Sequence, residues 1–133
     1  MVNSRRRNGL IIYKRFHAEF AGPGAAVGSF FDLDCEWILP VGDLSLVDPK
    51  EQEDRQKAYL IRRQWIRLTQ QLTDNPLPAQ RAQMILNQFE NYFGAEMVAQ
   101  LPDHAFALLV GVLPQTVYEV RQNSSSLENK ARN

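Results

Sequence analysis

Three groups of residues in this 133-residue chain have side chains that could do chemistry. The first is Asp32, Asp34 and Glu36, which alternate with Phe31, Leu33, Cys35 and Trp37, with His17 and Glu19 in the alternating run before them. Carboxylates gathered on one face suit hard cations such as Mg²⁺ or Mn²⁺. An exposed strand face balanced by Lys14 and Arg15 accounts for the same residues without a metal, and none is expected. The second group is Cys35 with His17 or His104, the residue types of a nucleophile and its base. Cys35 runs in phase with Phe31, Leu33 and Trp37, so its expected place is the core, as a small apolar side chain. The third is GPGAAVG at 22–28, a glycine-rich run without the Lys-Ser/Thr that completes a phosphate-binding loop. It reads as a plain loop. No catalytic residue, metal ligand or cofactor follows from these groups, and the chain reads as a non-enzyme.

The elements that would position such residues must fit into a short chain. Its size suits one compact domain, or one domain with a small appendage, and 44% hydrophobic residues exclude wholesale disorder. No apolar run is long enough to span a membrane, and the basic start lacks a secretory core and cleavage site. The single Cys35 excludes an internal disulfide and a multi-thiolate zinc site, and a reducing, cytoplasmic setting is expected. The 15 basic residues balance the 15 acidic ones, yet the charge is segmental. Residues 1–20 and 55–67 are basic, whereas 32–54 are acidic.

Residues 1–8 have no apolar pattern and read as a disordered basic arm carrying Arg5, Arg6 and Arg7. Period-two alternation predicts one strand over Leu10–Phe20 and a second over Phe31–Trp37, paired as a hairpin. LSLV at 44–47 can add a third strand, so 9–47 reads as a β-hairpin or meander region. Asp48-Pro49-Lys50-Glu51 is a helix start, and one long amphipathic helix is expected over 49–73. Its seam of Ala58, Ile61, Trp65, Leu68 and Leu72 is heptad-like. Packing within the domain is the simpler reading of that seam. A homodimer contact through Ile61, Trp65, Leu68 and Leu72 is the sharper one. Arg55, Arg62, Arg63 and Arg67 flank it as a solvated face. After the stiff DNPLP linker, 79–122 reads as a helical subdomain, and the polar tail over 123–133 as disordered. The fold class is α+β.

Within that subdomain, residues 103–122 read DHAFALLVGVLPQTVYEVRQ. Ala107 is small, Gly111 sits at a turn, and Phe106, Val110, Val112, Val117 and Val120 are apolar. This pattern resembles the helix-turn-helix unit of bacterial repressors and Crp-type regulators. The resemblance implies two helices crossing tightly at Ala107, a positive φ at Gly111, and a second helix that enters the major groove of DNA. It further implies that Gln115, Thr116, Tyr118, Glu119 and Gln122 face bases, with Arg121 towards phosphate. Leu113 departs from the Ser or Thr usual there, and the unit is poor in positive charge. Arg5, Arg6 and Arg7, or the basic face of the long helix, would have to supply phosphate contacts. The expected function is therefore a small DNA-binding transcriptional regulator, acting on double-stranded DNA as a dimer. The alternative is a protein-interaction or adaptor module that keeps the shape and docks a protein partner through Leu113, Pro114 and Tyr118.

Overall fold

The computed structural model describes residues 1–28 and 30–132, with 124–132 as backbone only. The class is α+β: a three-stranded antiparallel sheet is followed by five helices. The strands are β1 (Asn8–Tyr13), β2 (Ala18–Ala21) and β3 (Trp37–Gly42), in the spatial order β2-β1-β3. The helices are α1 (Gln52–Leu72), α2 (Pro78–Phe93), α3 (Ala95–Ala99), α4 (Asp103–Val110) and α5 (Pro114–Arg132).

The central strand is buried on both faces, which is why it is apolar at nearly every position. Ile11 and Tyr13 face the larger core, which they share with Phe20, Leu72, Ile85, Phe89 and Phe106. Leu10 and Ile12 face a smaller cluster with Val2, Ala21 and Ala25. The run from Leu10 to Phe20 is thus two strands rather than one. Tyr13 pairs with Ala18, and the Lys14 N–H donates to the His17 carbonyl to close the turn. The alternation runs through that turn without marking it.

The strand expected over Phe31–Trp37 does not form. Phe30–Asp32 is a single 3-10 turn, Leu33 is exposed, and the strand begins only at Trp37. Asp32 is the cause. Its carboxylate accepts the Gly28 N–H and its carbonyl accepts the Cys35 N–H, local bonds that compete with a ladder. Cys35 is consequently half-buried at the margin of the smaller cluster. Pro40, which reads as a breaker, lies inside β3 opposite Leu10, a placement open to proline because β3 is an edge strand. LSLV contributes a single bridge, Leu46 to Val2.

That bridge also corrects the reading of the N-terminus as a disordered arm. Val2 is buried in the smaller cluster, the Met1 ammonium donates to the Val47 carbonyl, and the Asn3 N–H donates to Ser45. The start of the chain is a docked segment, and β1 takes up the last of the expected arm at Asn8.

Helix α1 begins three residues later than its start signal suggests, with Glu51 as its N-cap. Its seam packs inside the chain. Ala58 and Leu72 are buried, and Trp65 meets Phe20 edge-on at 5.4 Å. The Trp65 indole N–H donates to the Pro23 carbonyl, and a Cβ on Gly22 would lie 2.4 Å from the ring. Of the four residues proposed for a dimer contact, only Leu68 is left mostly open, at 51% exposure. The α2 stripe of Ala82, Ile85, Leu86 and Phe89 is buried as its spacing predicts. Helix α5 continues to Arg132, past the boundary that the polar composition suggests at 123. It has no Gly or Pro after Pro114 to stop it. Asn133 lies outside the described residues. Among the described residues, no helix is long and apolar enough to cross a membrane.

Candidate nucleic-acid interface

Helices α4 and α5 are joined by Gly111, Val112 and Leu113. Gly111 has φ 67° and ψ 44°, a left-handed conformation that costs a residue with a Cβ about 1–2 kcal/mol. Its N–H and that of Val112 both donate to the Ala107 carbonyl, so two donors close the end of α4 on one acceptor. Ala107 is buried where the two helices meet, and Val117 and Val120 bury the inner face of α5. Pro114 opens α5, where no N–H is needed.

A third group stabilises this turn, and the sequence pattern does not mark it. Arg81 of α2 donates from Nε to the Val110 carbonyl (3.1 Å) and from Nη2 to the Gly111 carbonyl (3.1 Å). A cation at the C-terminal end of α4 also opposes the helix dipole. Arg81 makes no ion pair with a carboxylate among the described residues, so its charge remains at the turn.

The outer face of α5 carries the residues expected to read bases. Gln115, Tyr118, Glu119 and Gln122 are exposed and Thr116 is half-buried. Gln115 donates to Glu119 one turn on, at 3.4 Å. Leu113 stands out at 71% exposure. Arg121 points the other way. Its Nη1 donates to Asp103 (2.7 Å) and to the Leu101 carbonyl (2.9 Å), its Nη2 donates to the Val98 carbonyl, and its guanidinium lies over the Phe106 ring. The guanidinium therefore joins α5 to α3 and α4 and faces the protein interior.

Of the three N-terminal arginines, all exposed, Arg7 donates to the Tyr92 carbonyl (3.4 Å) and stacks on the Tyr92 ring. Arg6 approaches Asp43 at 3.8 Å, and Arg5 is held near the surface by its N–H bond to Asn3. The basic face of α1 divides. Arg62 is fully buried, whereas Arg63 and Arg67 are exposed. Arg63 and Arg67 lie one turn before Ile66 and Gln70, which share a cleft with Leu108, Leu109 and Gly111. Neither arginine makes an ion pair among the described residues.

The other polar constellation is a buried ion network. Arg62 grips Asp32 with both terminal nitrogens (2.7 and 3.1 Å) and also donates to Glu19 (3.1 Å) and to the Ala26 carbonyl (3.0 Å). Lys14 sits 3.3 Å from Glu19 and 3.0 Å from Asp34, and His17 lies 3.0 Å from Glu19. Burial alone would raise the Glu19 carboxyl, but hydrogen bonds from His17 and Arg62 and the charge of Lys14 hold it below the usual carboxylate range. Lys14 is drawn down by burial, yet its bonds to Asp34 and Glu19 keep its ammonium above the ordinary lysine value. The carboxylates of Glu19, Asp32 and Asp34 are therefore turned towards cations. Among the described residues, no group of three His, Cys, Asp or Glu is placed to hold a metal ion.

Compared with protein-family models, curated proteins and solved structures, the chain matches none. The functional reading rests on the arrangement of its own residues.

Proposed function

We propose that this protein is a small DNA-binding transcriptional regulator that lays the outer face of α5 in the major groove of double-stranded DNA. The observation that carries the reading is the left-handed Gly111 turn. It brings α5 across the buried Ala107 with Val117 and Val120 turned inward, leaving Gln115, Tyr118, Glu119 and Gln122 outermost and Thr116 half-exposed beside them. Gln can pair with adenine through two hydrogen bonds, and Thr can meet the thymine methyl. Phosphate charge is met by Arg81 at the turn and by exposed cations elsewhere, Arg63 and Arg67 on α1 and Arg5 and Arg6 near the N-terminus. Arg121 acts as a positioning residue that sets α5 against α3 and α4. A dimer on a two-fold operator would form through a surface other than the α1 seam, most of which is used within the chain.

The test is fluorescence anisotropy of a labelled random-sequence duplex titrated with the protein at low and at moderate salt. Binding that weakens steeply with salt, and that Arg63→Ala with Arg67→Ala reduces, supports the reading. Folded protein that leaves the duplex untouched at low salt contradicts it.

A second reading, docking of a protein partner through the same face, draws on the exposure of Leu113 (71%) and Tyr118 (49%). It requires Leu113→Ser to abolish capture of that partner while DNA has no effect.

A further inference from the structure

A cleft of about 430 Å³ opens between the end of the β1–β3 pair and the start of α4, away from the outer face of α5. It is lined by Tyr13, Arg15, Glu36, Trp37, His104 and Leu108 among others. Its size falls in the range of small-molecule sites. The aromatic residues arrive there by two independent constraints. Tyr13 and Trp37 are direct cross-strand partners in the antiparallel register, so their side chains share a face of the sheet. His104, in the first turn of α4, stacks on Tyr13 with centroids 5.9 Å apart and planes 14° from parallel. The Tyr13 ring is covered by this arrangement, whereas the Trp37 indole is left 68% exposed with no ring stacked on it among the described residues.

The polar groups at the rim are of two kinds. Lys14 is neutralised by Glu19 and Asp34 and so is not a free cation. Arg15 is exposed and makes no ion pair among the described residues; its guanidinium rests on the Phe16 ring. Glu36 is exposed and likewise unpaired, an acceptor at the same mouth. An indole face, a stacked tyrosine–histidine pair, one free guanidinium and one free carboxylate define a ligand by complementarity. The ring must be flat to lie on Trp37, must carry an N–H donor for Glu36, and must bear an anionic group for Arg15.

We propose that this cleft is a binding site for a small heteroaromatic anion of the nucleoside monophosphate class, held by stacking on Trp37 and by the charge of Arg15. The site stands independently of the DNA reading, since none of its residues lies on α5.

The test is titration of the full chain with adenosine monophosphate, read by indole fluorescence and by isothermal calorimetry, with adenosine and ribose 5-phosphate in parallel. Saturable quenching by the monophosphate is expected, with weaker binding of adenosine and none of ribose 5-phosphate. Trp37→Ala is expected to remove the quench and weaken calorimetric binding about tenfold, the order of one lost base–aromatic stack. Arg15→Ala should bring the monophosphate down to the affinity of adenosine while leaving adenosine unchanged. Both side chains are exposed, and an unchanged thermal melt shows that each variant is folded. Absence of saturable binding to folded protein overturns the proposal. So does binding that Trp37→Ala leaves intact, or equal affinity for adenosine and its monophosphate.

Discussion

Nη2 of Arg62 lies 2.7 Å from Oδ1 of Asp32, a contact across 30 residues of chain that clamps the 22–36 loop onto α1. Both side chains are almost wholly removed from water. Asp32 can serve here only because it is not in a strand. The turn at Phe30–Asp32 aims its carboxylate at the helix, and the same carboxylate accepts the Gly28 N–H. Replacing Arg62 by Met would leave Asp32 buried without its cation and Glu19 with Lys14 and His17 alone. The expected loss is about 3–5 kcal/mol in urea-induced unfolding, as for other buried pairs that lose one partner. Asp32→Asn should cost less, because the amide keeps one acceptor for Arg62. A double-mutant cycle on the two residues should give a coupling energy well away from zero.

The acid limb of the stability profile should depend on Glu19. Its folded carboxyl titrates below the ordinary value despite burial, because His17, Arg62 and Lys14 face it. A carboxyl depressed by folding contributes fully above its unfolded value and loses that contribution as pH falls through the folded one. Asp34, lowered by the hydrogen bond from Lys14, acts in the same sense. Stability should therefore fall as pH drops below about 5. Glu19→Gln should flatten that limb while lowering stability at neutral pH. Lys14 works at the other end. Its pKa is raised, so its contribution is complete at neutral pH and is lost only as pH climbs through its folded value.

Arg121→Ala should act on stability before it acts on any ligand. The guanidinium bonds to Asp103 and to two carbonyls, at Leu101 and Val98, and the substitution leaves these acceptors to water. A loss of about 1–3 kcal/mol is expected, towards the low end because the pair is half-exposed. Thermal melts of the variant check this. An Arg121→Ala protein as stable as its parent would contradict the positioning role.

Gly111→Ala isolates the turn. A Cβ at this position meets no atom within 4 Å, so the whole cost is conformational, about 1–2 kcal/mol for a left-handed alanine. Gly111→Asn should cost less, because asparagine tolerates that region. The order Gly, Asn, Ala in melting temperature is the expected result.

What the sequence makes legible here is mainly local. The spacing of Ala82, Ile85, Leu86 and Phe89, the stop at Gly94 and the α4–turn–α5 pattern depend on near neighbours, and the structure has them as read. Arg62 reads as one of four cations on a solvated helix face, because nothing within α1 distinguishes it from Arg63 or Arg67. Its burial is decided by Glu19 and Asp32, which arrive from elsewhere in the chain. Val2 is a single apolar residue beside a basic run, too little signal to reveal that the N-terminus docks. The alternation over Phe31–Trp37 misleads because Asp32 satisfies its neighbours' backbone locally. At the candidate interface, the outward residues of α5 follow from the motif, but the roles of Arg121 and Arg81 do not. Arg81 bonds to backbone carbonyls, which leave no mark on composition, and Arg121 pairs with Asp103, 18 residues away, as well as with two carbonyls.

The most direct test of the central claim is the salt dependence of duplex binding, measured by anisotropy for the parent and for the Arg63→Ala/Arg67→Ala variant. For the parent, the logarithm of affinity should fall linearly with the logarithm of salt. Its slope in the variant should be shallower by about one for each arginine that meets a phosphate. Folded parent protein with no affinity for duplex DNA at low salt would contradict it. So would a slope that is identical in the two proteins.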